Sequence, residues 1–447
     1  MFALALALIA SAGRGEEQTS PQSPSAARHV VMISIDGLGA RWYMSPPPNL
    51  RVPNLRRMMD DGSHAEGVVG VYPSVTYPSH TTLVTGRLPA EHGIFTNRSS
   101  RQAGKNPKDW FWFASAIRVP TLWDVVGERR LTTAALFWPV TAGAHITWNI
   151  PEIWDPEKGA LGDPLYVAKY ATPGLLFEAA LDLGPPREGG GDDVTRANLA
   201  AFLIRNHKPN LLLLHLVALD DEEHRHGPGS AEAVAALEES DRCLGEILDA
   251  LRAAGLADST DVFVVSDHGF LPVEREVNPN VLLAKAGLLQ VDSQGNIVGG
   301  KVATVANGGS FFIYWPESEN LAGEVETALA PLRGEGVLWG VLSQQAIRDL
   351  GGEPAVRLSL EAAPGVGFDD RPTGDVVRVL AATAGTPGYL PFRAGLESAL
   401  IVWGPHIKKG VNLHRVRMTT IAPTVLRGLS LEQQRLGSDE PLLEIFK

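Results

Sequence analysis

VVMISIDG at residues 30–37, HLVALDDEEH at 215–224 and VFVVSDHG at 262–269 share one design: an apolar run of strand length stops at a carboxylate. Asp36, Asp220 with His224, and Asp267 with His268 stand at those stops. In a parallel α/β sheet the carboxyl ends of the strands open on one crevice, where ligands bind. Apolar, β-branched runs at 29–35, 134–138, 210–216, 261–265 and 398–403 are separated by helical spacing, for example at 53–61 and 231–254. Strands alternating with helices predict an α/β fold, a mostly parallel central sheet flanked by helices.

Two stretches break the alternation. Residues 141–193 are rich in Trp, Pro and Gly and end in PPREGGGDD. Residues 271–373 hold a hairpin signal around 292–296 and the strand-like GGSFFIYW. Both are read as cap insertions on one catalytic domain spanning 29–447, because insertions after motif-bearing strands cover active sites.

The chain has 447 residues, of which 44% are hydrophobic, enough for a sizeable core. Its formal charge of −12 excludes a surface that coats nucleic acid, which would be basic. A small anionic substrate stays compatible, since bound cations dominate a local field. FALALALIA followed by Ala10-Ser11-Ala12 reads as a secretory signal peptide over residues 1–12, too short to span a membrane. A Ser/Pro/Gln-rich leader follows over 13–28, and the expected location is periplasmic or secreted. Cys243 is the only cysteine, which excludes an internal disulfide, and its helical surroundings read it as a packed core thiol.

Taken singly, each cluster has a plain structural reading. Asp36 before Gly37 suits a helix cap or turn. Asp220 and His224 are four apart, on one face if helical, but the acidic flank also reads as solvated charge. Asp267 and His268 point to opposite faces unless the strand ends there, which Gly269 allows. Together, carboxylate and imidazole donors at successive strand ends suit zinc or a similar metal. Between the first two clusters lies VYPSVTYPSHTTLVTGRLPAEHGIFTN, residues 71–97. A threonine hydroxyl is a poor nucleophile near neutral pH, and metal coordination is one way to activate it. Thr76 leads into a helical TTLVTG, and a helix N-terminus favours a phosphate dianion. Spacing alone does not separate Thr76 from Ser79, which reads as an N-cap.

The order Asp, threonine block, Asp-x-x-x-His, Asp-His resembles the alkaline phosphatase superfamily. Within it, PSVTYPSHTTLVTGRLPAEHGIFTN, DDEEHRHGP and VVSDHGF look like the type I phosphodiesterase/nucleotide pyrophosphatase family, and the likeness runs from PTLWDVVGERRLTTAALFWP to WGPHIKKG. The resemblance implies that Thr76 is a nucleophile that becomes transiently phosphorylated. It implies one zinc held by Asp36, Thr76, Asp267 and His268, and a second zinc with Asp220 and His224 among its ligands. Asn97 corresponds to an amide on a phosphoryl oxygen, and Tyr77 to an aromatic that stacks on a nucleobase or else packs in the core. The implied substrate is a phosphodiester or nucleotide. The departure is GTPGY at 385–389, where the family pattern is Gly-x-His-Gly-Tyr. Pro387 has no donor atom, so the second zinc site lacks its third ligand unless His215, His226 or His406 serves. The alternatives are a phosphomonoesterase or phosphonate hydrolase, and a catalytically impaired or non-catalytic binding homologue. A sulfatase is disfavoured because Cys243 is outside Cys-x-Pro-x-Arg. The run at 109–113, DWFWF, reads as packing or cleft lining.

Overall fold

The computed structural model describes residues 28–98, 110–155, 164–184 and 192–447. The signal-peptide reading lies outside the described residues, as do most of the leader and of PPREGGGDD. The central sheet has eight strands. Its first six in chain order are β1 His29–Ile35, β2 Ser63–Val69, β3 Thr133–Leu136, β4 Trp148–Ile150, β5 Leu211–Leu216 and β6 Thr260–Val265. Across the sheet the order is Val411–Arg417, β2, Leu400–Trp403, β6, β1, β5, β3, β4. Only Leu400–Trp403 runs against its neighbours, so the sheet is mostly parallel as expected.

The central strands are buried on both faces, which explains their unbroken apolar runs. In β1, Val31, Ile33 and Ile35 enter one hydrophobic cluster, whereas Val30 and Met32 enter the other. In β5, Leu212 and Leu214 alternate with Leu211 and Leu213 in the same way. The helices Pro53–Asp61 and Ala231–Ala253 form where helical spacing predicts them. Cys243 is buried in the second of these, and burial pushes its thiol up, as a packed core thiol requires.

The two irregular stretches behave differently. Between 141 and 193, β4 adds an edge strand to the main sheet through β3, so part of this stretch belongs to the core sheet. Between 271 and 373 the chain builds a sheet of Ala303–Ala306, Ser310–Tyr314, Leu358–Ala362 and Leu338–Ser343, with its own hydrophobic cluster. A hairpin pairs Leu289–Val291 with Ile297–Gly300. Leu271–Val277 lies between Gly365–Phe368 and Val377–Thr386 in a further small sheet. No helix among the described residues is long and apolar enough to cross a membrane.

Candidate metal centre and cleft

Register delivers the motif residues together. β1 pairs with β5 on one side and β6 on the other, so the three strands end side by side. Asp36 follows β1, and Gly37 then turns the chain with φ +76°. Asp267 and His268 follow β6, beyond the regular strand, which frees both from strict alternation. Asp220 and His224 lie on the helix Ala218–His226 just after β5.

Asp36, Asp220 and His268 each present a donor atom within 4.8 Å of the others. His268 Nε2 stands 3.5 Å from Asp36 Oδ1, 4.0 Å from Asp220 Oδ1 and 3.2 Å from Asp267 Oδ2. These four atoms are buried and have no hydrogen-bond partner. Leaving a buried charged oxygen unpaired costs on the order of several kcal/mol, so the cluster fits a cation that satisfies all four at once. The second oxygens of Asp36 and Asp267 are tied. Asp267 Oδ1 accepts from the backbone N–H groups of Gly37 at 3.2 Å and His268 at 3.0 Å. Asp36 Oδ2 lies 3.0 Å from His215 Nε2. One locked and one free oxygen per carboxylate is how outer partners orient a metal ligand.

The electrostatics agree. Burial, followed by repulsion from Asp220 and Asp267, raises the Asp36 carboxyl well above its ordinary value. Burial also opposes ionisation of Asp267, but the imidazoles of His268 and His80 outweigh it and bring that carboxyl below the usual range. A site that packs three carboxylates against each other without solvent favours a cation in their midst.

The threonine block begins a helix at the expected place, Thr76–Thr85, and Ser79 is not its cap: Val75 holds the N-cap position. Tyr77 N–H donates to Asn97 Oδ1 at 3.0 Å, and Pro78 has no N–H, so the first turn offers fewer free donors than a typical helix start. Thr76 and Asn97 face a cleft of about 320 Å³, shared with Trp110, His224, Asn307 and Pro387. Its volume is that of a small-molecule site.

With that constellation in place the sequence comparison becomes decisive, because the family model for type I phosphodiesterase/nucleotide pyrophosphatase matches residues 30–349. The chain belongs to the type I phosphodiesterase/nucleotide pyrophosphatase family. It is 26% identical over 251 residues to venom phosphodiesterase 2 of Crotalus adamanteus, covering 54% of this chain and 26% of that protein. It is 25% identical over 262 residues to the bis(5'-adenosyl)-triphosphatase ENPP4 of Bos taurus, covering 57% of this chain and 50% of that protein. The chain therefore spans half or less of the length of these relatives. Murine ectonucleotide pyrophosphatase/phosphodiesterase 5 shares the fold with a TM-score of 0.68 at 18% identity, over 94% of this chain and 100% of that one.

The family expectations meet the structure unevenly. The Tyr77 ring is fully buried, packs 5.2 Å from Trp110, and its hydroxyl donates to Glu152 Oε1 at 2.9 Å. The Tyr77 ring thus packs in the core, and Trp110 lines the cleft. Pro387 does face the cleft wall beside His224. Each of the three substitute histidines is paired with a carboxylate of its own. His215 sits behind Asp36 with Nδ1 2.8 Å from Glu152 Oε2, His226 pairs with Glu222 at 3.4 Å, and His406 pairs with Asp261 at 3.1 Å.

Sequence reasoning missed a supporting layer. Asp36, His215, Glu152 and Tyr77 form one hydrogen-bonded chain behind the centre. Burial raises the Glu152 carboxyl, but His215, Arg196 and the Tyr77 hydroxyl overcome this and bring it below its ordinary value. His80 joins the Thr76 carbonyl at 2.8 Å to Ser34 Oγ at 2.9 Å, pinning the helix start to β1. Burial drives the His80 imidazole down to about 3, so it stays neutral near pH 7. The i+4 spacing of His80 from Thr76 was its one sequence signal.

Proposed function

We propose that this chain is a zinc-dependent phosphodiester hydrolase of the nucleotide pyrophosphatase/phosphodiesterase type, with Thr76 as nucleophile. The carrying observation is the convergence of unpartnered Asp36, Asp220, Asp267 and His268 atoms, with Asp267 Oδ2 3.6 Å from His80 Nδ1 on the helix that begins at Thr76. Those residues, with the Thr76 hydroxyl, would hold the metal, and mixed carboxylate and imidazole donors suit zinc. A divalent cation there supplies positive charge where the threonine oxygen and the phosphoryl oxygens carry negative charge.

Thr76 Oγ1 attacks phosphorus in line, the bond to the leaving oxygen breaks, and that oxygen departs carrying a proton. Water then attacks the threonyl phosphate, releasing a phosphomonoester and restoring the Thr76 hydroxyl. Asn97 has its carbonyl oxygen engaged by Tyr77 N–H, which leaves its amide N–H groups for a phosphoryl oxygen. Trp110 supplies an apolar surface on the cleft wall for a base or another leaving group. An inactive threonine-to-alanine variant of the murine relative forms a complex with AMP, which supports a nucleotide substrate and a threonine nucleophile here. The apolar N-terminal run and the venom relatives support export to the periplasm or the medium.

The test is hydrolysis of bis(4-nitrophenyl) phosphate. Thr76→Ala is expected to lose at least about a thousand-fold in kcat with unchanged thermal unfolding. Turnover near wild type in that variant refutes the nucleophile assignment. Faster turnover of 4-nitrophenyl phosphate than of the diester replaces this reading with a phosphomonoesterase.

A further inference from the structure

We infer that this chain builds one complete metal centre rather than two, with Asp220 serving that single centre and His224 standing outside it. The inference rests on the proposed metal-dependent reading and departs from the pair of zincs that the family resemblance implies.

Ligand atoms about 2.0–2.2 Å from one ion can stand no more than about 4.4 Å apart. The separations of 3.2, 3.5 and 4.0 Å around His268 Nε2 fall within that limit. Among the described residues, Asp36, Asp220 and His268 are the one group of three such side chains whose donor atoms all come within 4.8 Å. Asp220 thus stands within reach of Asp36 and His268, from which the family resemblance divides it.

A second centre built on Asp220 and His224 has two donors. His224 Nε2 is 3.7 Å from Asp220 Oδ1, and the other ring nitrogen is 3.1 Å from the Gly385 carbonyl. Catalytic zinc sites usually take three protein ligands. The third corner is closed to rearrangement. Gly309 N–H donates to the Pro387 carbonyl at 2.8 Å, and Gly388 N–H donates to the Ser74 carbonyl at 3.0 Å. A Cβ on Gly388, whose φ is +90°, would come within 1.5 Å of the Asn307 carbonyl oxygen. The segment is therefore clamped between the turn at Asn307 and the residues before Thr76. Asn307 lines the same cleft with a buried, unpartnered amide nitrogen, a donor that suits a phosphoryl oxygen rather than a cation.

Asp220 Oδ1 is the deciding atom: it lies 4.0 Å from His268 Nε2 and 3.7 Å from His224 Nε2, so the number of fellow donors on each side, not distance, decides. The Asp36 side offers it Asp267 and His268 as fellow ligands, and the other side offers only His224. Coordination is completed on the first side.

The test strips the full chain with chelator, desalts it, and titrates it with Co(II) while following d–d absorption, with zinc content after reloading read by mass spectrometry. One equivalent is expected in the wild type. Asp220→Asn is expected to weaken binding at least about tenfold, whereas His224→Ala keeps one equivalent within about twofold. The zinc-induced shift in thermal unfolding, followed in the same variants, reads binding to folded protein and removes misfolding as an explanation. Two equivalents of similar affinity overturn the inference and leave the hydrolase reading intact. So does a His224→Ala loss as large as that of Asp220→Asn. No metal uptake by the wild type overturns both.

Discussion

The two walls of the cleft divide their labour unequally. On the sheet side, Asp36 and Asp267 each have one oxygen locked by a neighbour and one left free, and the free atoms converge. On the cap side, His224 is held by a backbone carbonyl, and Pro387 beside it brings no donor atom. The first wall is built from strand ends fixed by sheet register, and the second from the end of the helix Ala218–His226 and the segment after the small-sheet strand Val377–Thr386. A register shift in the sheet would misplace every ligand together, whereas a single substitution in the cap changes one corner and leaves the rest. Loss of a ligand on the cap side is therefore compatible with an intact sheet-side centre.

The sharpest attack on this contrast is on the support behind the sheet-side wall. Glu152→Gln leaves the Asp36–His215 contact but weakens the far end of the chain, where Glu152 takes both His215 and the Tyr77 hydroxyl. Outer partners of metal ligands are worth about 10–100-fold in metal affinity. The expected result is a loss of that size in Co(II) affinity with the fold retained. Affinity equal to wild type would mean that register alone, without the buried network, orients Asp36.

Adding to the cap side is the converse experiment. Pro387→His adds an imidazole to the cleft that His224 also lines, where the backbone is already clamped. A second, weaker Co(II) equivalent is expected, with a change in kcat within about tenfold. A titration that still ends at one equivalent would show that the clamped backbone aims position 387 away from His224.

How far the sequence foretold this contrast follows from the range of the interactions. β1 forms over His29–Ile35, the span its apolar run predicts, because burial on both faces leaves a continuous pattern. β2, SHAEGVV, and the edge strand VNLHRVR went unread: polar and glycine residues interrupt the first, and the second alternates with charge exposed at the sheet edge. The candidate ligands were legible because each sits beside an apolar run in its own segment. Glu152 was not, since it meets its partner His215 from 63 residues away. Nor did one-dimensional spacing say whether the ring of Tyr77 or of Trp110 reaches the cleft, because that depends on how the Thr76 helix is rotated against β1. Pro387 was legible as a position without a donor atom, but that Asp36, Asp220 and His268 bring donor atoms within 4.8 Å of one another is visible only in three dimensions.

The smallest expected effect concerns how the cap is fastened to the threonine helix. Glu361, on the strand Leu358–Ala362, is fully buried and accepts from Leu390 N–H at 2.8 Å and from Arg393 at 3.4 Å. It thereby ties the cap sheet to the segment that follows Pro387, and Tyr72, near the start of the threonine block, reaches Ser359 on the same strand at 2.7 Å. Burial raises the Glu361 carboxyl from 4.5 to about 8. With the folded value above the unfolded one, the folded state holds the extra proton between those limits. Its contribution to stability is full below about pH 4.5 and falls as pH rises towards 8. Glu361→Gln keeps a neutral acceptor at every pH, so its unfolding midpoint should decline less than that of the wild type between pH 5 and pH 8, by about 2–8 °C. Parallel pH profiles in the two proteins would show that the ion pair with Arg393 keeps Glu361 charged throughout. The cap would then be fastened by charge, as the sheet-side centre is, and the contrast between the two walls would narrow to the missing donor at Pro387.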